Sequence, residues 1–183
     1  MSEIFDEKTG IWLVENSDYH LFDESLAESL ANFFKYNSVV DLGCGMGDYI
    51  KKFLSAGIDC KGYDGNPNTS QLTNGQCDTL DLSIDINIPK YDWVFSLEVG
   101  EHIPAQFEDI FINNLHKSNK KGMVISWAIE GQAGIGHVNC HNNDYIIKKI
   151  EKLGYIYNPA LSQIFRNKAT FPYFKNTIMV FSK

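Results

Sequence analysis

The sequence lacks an apolar run long enough to cross a bilayer, which takes about 20 consecutive apolar residues, and so is expected to have no membrane span. Its first residues, Met-Ser-Glu-Ile-Phe-Asp-Glu-Lys, do not read as a signal peptide. The four cysteines (Cys44, Cys60, Cys77, Cys140) show no C-x-x-C spacing, so the expectation is reduced thiols in a cytoplasmic setting. Positive charge is scarce. The formal net charge is −7, which argues against a broad footprint on nucleic acid, although a local basic groove stays open. The short clusters at 51–52, 117–121 and 148–149 read as solvated helix ends. There is no internal repeat, no low-complexity tract and no sign of a second unit, so a single domain over 1–183 is expected.

Apolar residues make up 44% and aromatic residues 13% of the 183, a globular composition. The organising stretch is Ser38-Val-Val-Asp-Leu-Gly-Cys-Gly-Met-Gly-Asp48. Apolar residues run into Asp41, glycine follows at every second place (Gly43, Gly45, Gly47), and Tyr49, Ile50, Phe53 and Leu54 then take helical spacing. This predicts strand, tight loop and helix. The helix start aims unpaired N–H groups and a positive dipole end over the loop. A dinucleotide fingerprint would read G-x-G-x-x-G; here the spacing is G-x-G-x-G, and the strand ends in a carboxylate that would repel a pyrophosphate. A cationic ligand suits it better. S-adenosylmethionine (SAM) has a sulfonium, an ammonium, one carboxylate and no phosphate. Asp41 to Gly47 closely resembles the first motif of the class I SAM-dependent methyltransferases.

Asp23 is placed to cap a helix with Leu26, Leu30, Phe33 and Phe34 as its apolar stripe. Strands are expected at about 38–42, 60–64, 77–82, 91–97 and 121–127. One helix runs to about Ser55, with Gly57 beyond its end, and another starts near Pro104 with Phe107, Ile110, Phe111 and Leu115 buried. Asn143 is placed to cap a helix with Ile146, Ile150 and Leu153 on one face, closed by Gly154. The stretches 155–166 and 175–182 read as two strands with no helix between them. The resemblance, which covers almost the whole chain from Val39 onward, implies an α/β fold. It implies a three-layer Rossmann-like sandwich whose seven-stranded, mostly parallel sheet has the order 3-2-1-4-5-7-6, with strand 7 antiparallel. Residues 1–20, with Trp12, Tyr19 and His20, are a strap on the domain or a lid over the site; the resemblance favours the lid.

Ligands of an open α/β sheet lie beyond the carboxyl ends of its strands, where Asp41, Asp64, Asp81 and Glu98 are expected. Asp64 falls about twenty residues after the glycine loop, where a carboxylate can accept from both ribose hydroxyls of an adenosine. It also precedes the turn sequence Gly65-Asn66-Pro67 and can cap it; both roles are compatible. By resemblance, Asp81 faces the adenine amine and Leu82 packs on the ring, with Asp85 a weaker candidate and a turn role the alternative. Gly43, Gly45, Gly65, Asn66 and Leu97 complete the candidate cofactor set.

Glu98-Val-Gly-Glu101-His102 carries the chemistry. If 98–102 turn helically, two carboxylates and an imidazole share one face and suit Mg²⁺ or Mn²⁺. The segment is similar to the E-x-x-E-H of quinone-precursor O-methyltransferases and of enzymes that methylate the 3′ ends of small RNAs; both hold a metal there. His137 or His141, in the glycine-rich loop 130–143, would complete such a site or serve as a general base, with His137 favoured. A metal-free site, with Glu101, His102 and His137 catalytic, is the alternative. The expected activity is SAM-dependent O-methylation of a small or exposed acceptor such as a glycan sugar. This also follows from a loose similarity to small sugar O-methyltransferase domains of large algal viruses. A nucleic-acid ribose or another metabolite is the second choice, and a SAM-binding module without catalysis the third.

Overall fold

The computed structural model describes residues 4–14 and 20–183. Tyr19 lies outside them. Strands β1 (Val39–Leu42), β2 (Cys60–Asp64), β3 (Cys77–Thr79), β4 (Tyr91–Ser96), β5 (Asn119–Ile125), β6 (Ile156–Tyr157) and β7 (Met179–Ser182) form one sheet. Its order is β3-β2-β1-β4-β5-β7-β6, as the resemblance implies. The β1–β2, β1–β4, β2–β3 and β4–β5 pairs are parallel, while β7 runs antiparallel to both β5 and β6.

Alternation along the buried strands divides the core. Val40, Val94, Met123 and Phe181 point to one face, under α4 (Glu108–Lys117) and α5 (Asn143–Glu151), which contribute Phe111, Leu115, Ile146 and Ile150. Val39, Trp93, Phe95, Val124 and Val180 point to the other. There they meet Leu26, Leu30 and Phe34 of α1 (Glu24–Phe34), Phe53 of α2 (Asp48–Ser55) and Phe165 of α6 (Pro159–Lys168). Period-two side-chain placement in strands covered on both faces gives this arrangement.

Several boundaries differ from the sequence expectation. The strand expected over 77–82 stops at Thr79, so Asp81 and Leu82 follow it in a turn. A 3₁₀ turn, Ala105–Phe107, separates Pro104 from α4. Asn142, not Asn143, takes the N-cap place of α5, and Leu153 falls past its end. The largest correction is at the C-terminal end. Residues 155–166 are not a strand: β6 ends at Tyr157, and α6 and the short α7 (Phe174–Thr177) intervene before β7. Asn158 caps α6, its side chain accepting from Leu161 N at 3.0 Å, and Pro159 stands in the first turn, where its missing N–H costs nothing.

Asp23 does more than cap α1. It is 1% exposed, its Oδ1 accepts from Leu26 N at 3.1 Å, and its Oδ2 accepts from Thr170 N at 2.6 Å and Phe171 N at 3.2 Å. One carboxylate thus ties the start of α1 to the segment after α6. Asp23→Ala should cost about 2–4 kcal/mol, the cap plus two stranded N–H groups, read as a lower denaturant midpoint at unchanged slope.

Candidate active site

Beyond the carboxyl ends of β1, β2 and β4 lies a cavity of about 450 Å³. The glycine loop forms its floor. Gly43 and Gly45 stand at φ 93° and 52°, and a Cβ on Gly43 would fall 2.3 Å from Val99 Cγ2. Only glycine meets both demands. The loop is clamped to the end of β2: Gly43 N and Cys44 N donate to Tyr63 O, and Gly45 N donates to Asp64 Oδ2 at 2.8 Å. Asp64 Oδ1 accepts from Asn66 N at 3.0 Å, the expected turn cap, and Asp64 lines the cavity. A carboxylate offers about four lone-pair sites, and these bonds use two.

Asp41, Asp81, Leu82, Gly65 and Leu97 also line this cavity. Burial, then the neighbouring Cys77 and Asp64, push the Asp41 carboxyl well above the usual range. Asp81 Oδ1 accepts from Ser83 N and Ser83 Oγ, a turn arrangement that fixes its orientation. Asn66 is placed differently from the expectation: it does not line the main cavity, and its amide is engaged with Val14 O and Asn68 N. Asp85 pairs with Lys117 outside the cavity.

The described part of the N-terminal segment roofs the site. Phe5 and Trp12 form an antiparallel bridge, and Thr9 to Trp12, with His20, line the cavity. Gly10 sits so tightly on the turn below that a Cβ would fall 2.1 Å from His102 O, while Ile11 packs over Gly65. His20 lies against Gly45, and burial lowers its pKa despite the nearby Asp64 and Asp48. Sequence reasoning placed His20 in the strap but gave it no site role. Gln132, Tyr49 and Tyr173 also line the cavity and were not anticipated; they come from three separate segments with no shared motif.

Residues 98–102 do not form the helical turn considered from sequence. Glu98 adopts φ 53°, and two tight turns follow, with His102 N bonded to Val99 O and Ile103 N to Gly100 O. Glu98 still lines the cavity, but its oxygens are occupied. Oε1 accepts from Ser126 Oγ at 2.7 Å and Thr177 Oγ1 at 3.4 Å, and Oε2 accepts from Gln132 Nε2 at 2.9 Å. Glu101, His102 and His137 come together instead: one potential ligand atom from each lies within 4.8 Å of the others. Glu98 is outside this triplet.

Glu101 is 0% exposed, and among the described residues neither of its oxygens makes a well-formed hydrogen bond, although its own amide, that of Ala128 and the Glu98 carboxyl lie near. Burial, reinforced by Glu98, pushes its carboxyl well above the ordinary range. A buried carboxylate so poorly satisfied is costly and points to a missing cation or proton. The two imidazoles are oriented from behind: His102 Nδ1 lies 3.1 Å from Gly136 O and His137 Nδ1 lies 3.1 Å from Gln132 O. A carbonyl only accepts, so each Nδ1 carries a proton and donates it, which leaves Nε2 as the atom each ring would offer to a metal. Burial drives the His102 pKa down to about 4, which keeps that ring neutral. His141 points elsewhere. Its Nε2 meets Glu108 Oε2 at 2.8 Å, and its ring stacks on Tyr145 at 4.0 Å.

No protein-family model matches the chain, and no curated protein matches it by sequence. Solved structures do. The magnesium protoporphyrin IX methyltransferase ChlM of Synechocystis PCC 6803, with bound SAH, superposes with a TM-score of 0.67 at 17% identity, covering 86% of this chain and 81% of that one. A TehB-like SAM-dependent methyltransferase from Corynebacterium glutamicum gives 0.65 at 18% identity, covering 87% and 86%. The glycopeptide N-methyltransferase MtfA, complexed with sinefungin, gives 0.65 at 10% identity, covering 90% and 95%. This chain therefore has the fold of these SAM-dependent methyltransferases.

Proposed function

We propose that this protein is a SAM-dependent methyltransferase that methylates a hydroxyl of a small or exposed acceptor, such as a sugar. One observation carries the reading: a single cavity is lined by an acidic, glycine-floored cofactor rim and by His102 and His137, with the buried Glu101 offering an atom within 4.8 Å of both imidazoles. The solved structures with this fold include complexes with SAM and with SAH, which supports SAM as the ligand of the rim.

Asp64, with two lone pairs uncommitted, is assigned to the ribose hydroxyls. Asp81 and Leu82 are assigned to the adenine, and Asp41 with the loop of Gly43 and Gly45 to the methionine end. A cationic group beside Asp41 would favour its charged form and offset the burial that now raises its pKa. SAM supplies the methyl group and the leaving group; the protein has to align the acceptor and remove its proton. Asp64→Ala should weaken SAM binding at least about tenfold by calorimetry, ~1.4 kcal/mol, with the circular dichroism spectrum unchanged.

The triplet fits a divalent cation: a buried, poorly satisfied carboxylate and two imidazoles, each with one nitrogen held from behind and the other available. Two nitrogen donors argue against Mg²⁺, which seeks oxygen, and for a transition ion such as Mn²⁺. Such an ion would supply Lewis acidity, lowering the pKa of an acceptor hydroxyl. His137, with Nε2 available, is assigned to receive or direct the hydroxyl proton. Without metal, Glu101→Met should raise stability by about 1–3 kcal/mol, because it removes an unsatisfied buried carboxyl. Added Mn²⁺ should then raise the melting temperature of the wild-type chain but not of the variant.

The whole reading is tested with labelled SAM against a panel of sugars, phenols and amines, the product identified by mass spectrometry. His137→Ala should lower turnover on the accepted hydroxyl roughly a hundredfold while sparing SAM affinity. Transfer only to amines would overturn the hydroxyl assignment.

A further inference from the structure

Two thiols meet beneath the cofactor loop, and nothing in the proposed reaction uses them. Cys44 sits in the glycine loop and Cys77 opens β3, with β2 between. They meet because β2 carries Gly62 at the crossing point. Gly62 pairs with Asp41 on one side and with Cys77 on the other. Where its Cβ would stand, Cys77 Sγ is 2.5 Å away and Cys44 Sγ 2.9 Å away. The missing side chain leaves a notch through which the loop thiol reaches the strand thiol. Cys44 is partly exposed and lines the cavity, whereas Cys77 is buried behind it. The contact splits the two thiols: the Cys44 S–H, bonding toward Cys77, holds the Cys77 thiol below its ordinary range, while that same bond, burial and the nearby Asp41 and Asp64 hold the Cys44 thiol well above it.

We propose that Cys44 and Cys77 form a thiol–disulfide exchange site, open to a small-molecule disulfide through the cavity, that switches the cofactor loop. Cys44, the thiol that faces the cavity, gives up its proton to solvent, more readily as the pH rises, and attacks one sulfur of the incoming disulfide, releasing one small thiol. Cys77 then attacks the Cys44 sulfur and displaces the second. Two protein thiols are oxidised to one disulfide, and one small disulfide is reduced to two thiols.

The bond would draw Cys44 toward β3. The neighbouring amides are committed elsewhere: Cys44 N to Tyr63 O at 3.0 Å and Gly45 N to Asp64 Oδ2 at 2.8 Å. Moving Cys44 strains both bonds and disturbs Asp64, so oxidation should weaken cofactor binding. This consequence rests on the methyltransferase reading, whereas the exchange site does not. By linkage, a bound cofactor should oppose the disulfide by the same factor.

The test treats the reduced full-length chain with glutathione disulfide, alkylates the remaining thiols and maps peptides by mass spectrometry. The expected result is a Cys44–Cys77 linked pair, suppressed by saturating SAM and reversed by dithiothreitol. SAM affinity, read by calorimetry, should fall at least tenfold on oxidation. Cys77→Ser should bind SAM like the reduced wild type before oxidation, and with the oxidant should form no internal link but stop at a mixed disulfide between Cys44 and glutathione. Finding both thiols still alkylated, or a link through Cys60, would overturn the site; unchanged affinity in the linked protein would overturn the switch. If the reduced chain fails to bind SAM, the methyltransferase reading falls, and the peptide map alone decides the exchange site.

Discussion

The parallel pairing of β1 with β2 and β4 is the constraint on which everything else depends. Parallel register forces each strand to hand its chain onward at the same rim of the sheet. Asp64 and Glu98 are far in sequence from Asp41 and its glycine loop, and they gather there for that reason. The rim is partly desolvated by the N-terminal roof, so its acids are close together and starved of water. That is an unfavourable arrangement for an empty protein and a favourable one for a cationic guest.

The same logic governs the opposite side of the cavity. A buried, poorly satisfied carboxylate and two imidazoles held by backbone carbonyls are poor material for a stable core. Protein interiors tolerate such groups where function retains them. Around them the structure is ordinary and well satisfied. Glu108, for instance, is 3% exposed yet meets Asn139, His141, Tyr145 and Lys149. Asn139 N and Val138 N in turn hold Glu101 O, so that network fixes the loop beside the triplet.

Much of this was legible in the sequence. The approach of Val39 and Val40 to Asp41, the glycine spacing and the distance to Asp64 define the floor of the site before any coordinates are seen. The sheet order followed from resemblance rather than from periodicity. What the sequence hid was conformation at single residues. Nothing local announces that Glu98 will adopt a left-handed backbone, and the helical reading of 98–102 assumed the opposite. The helix α6 was missed for another reason. Tyr155-Ile-Tyr157 is a strong strand signal, and it overshadowed Asn158-Pro159, a helix start. His20 and Tyr173 join the cavity by tertiary packing, and no pattern of spacing connects them to it.

The contact of Gly10 with the His102 carbonyl limits what position 10 can hold. The joint is too tight for even one methyl group, so a side chain there would have to push the roof away or shift the turn that carries His102. One glycine thereby ties the seating of the N-terminal segment to the placement of that imidazole.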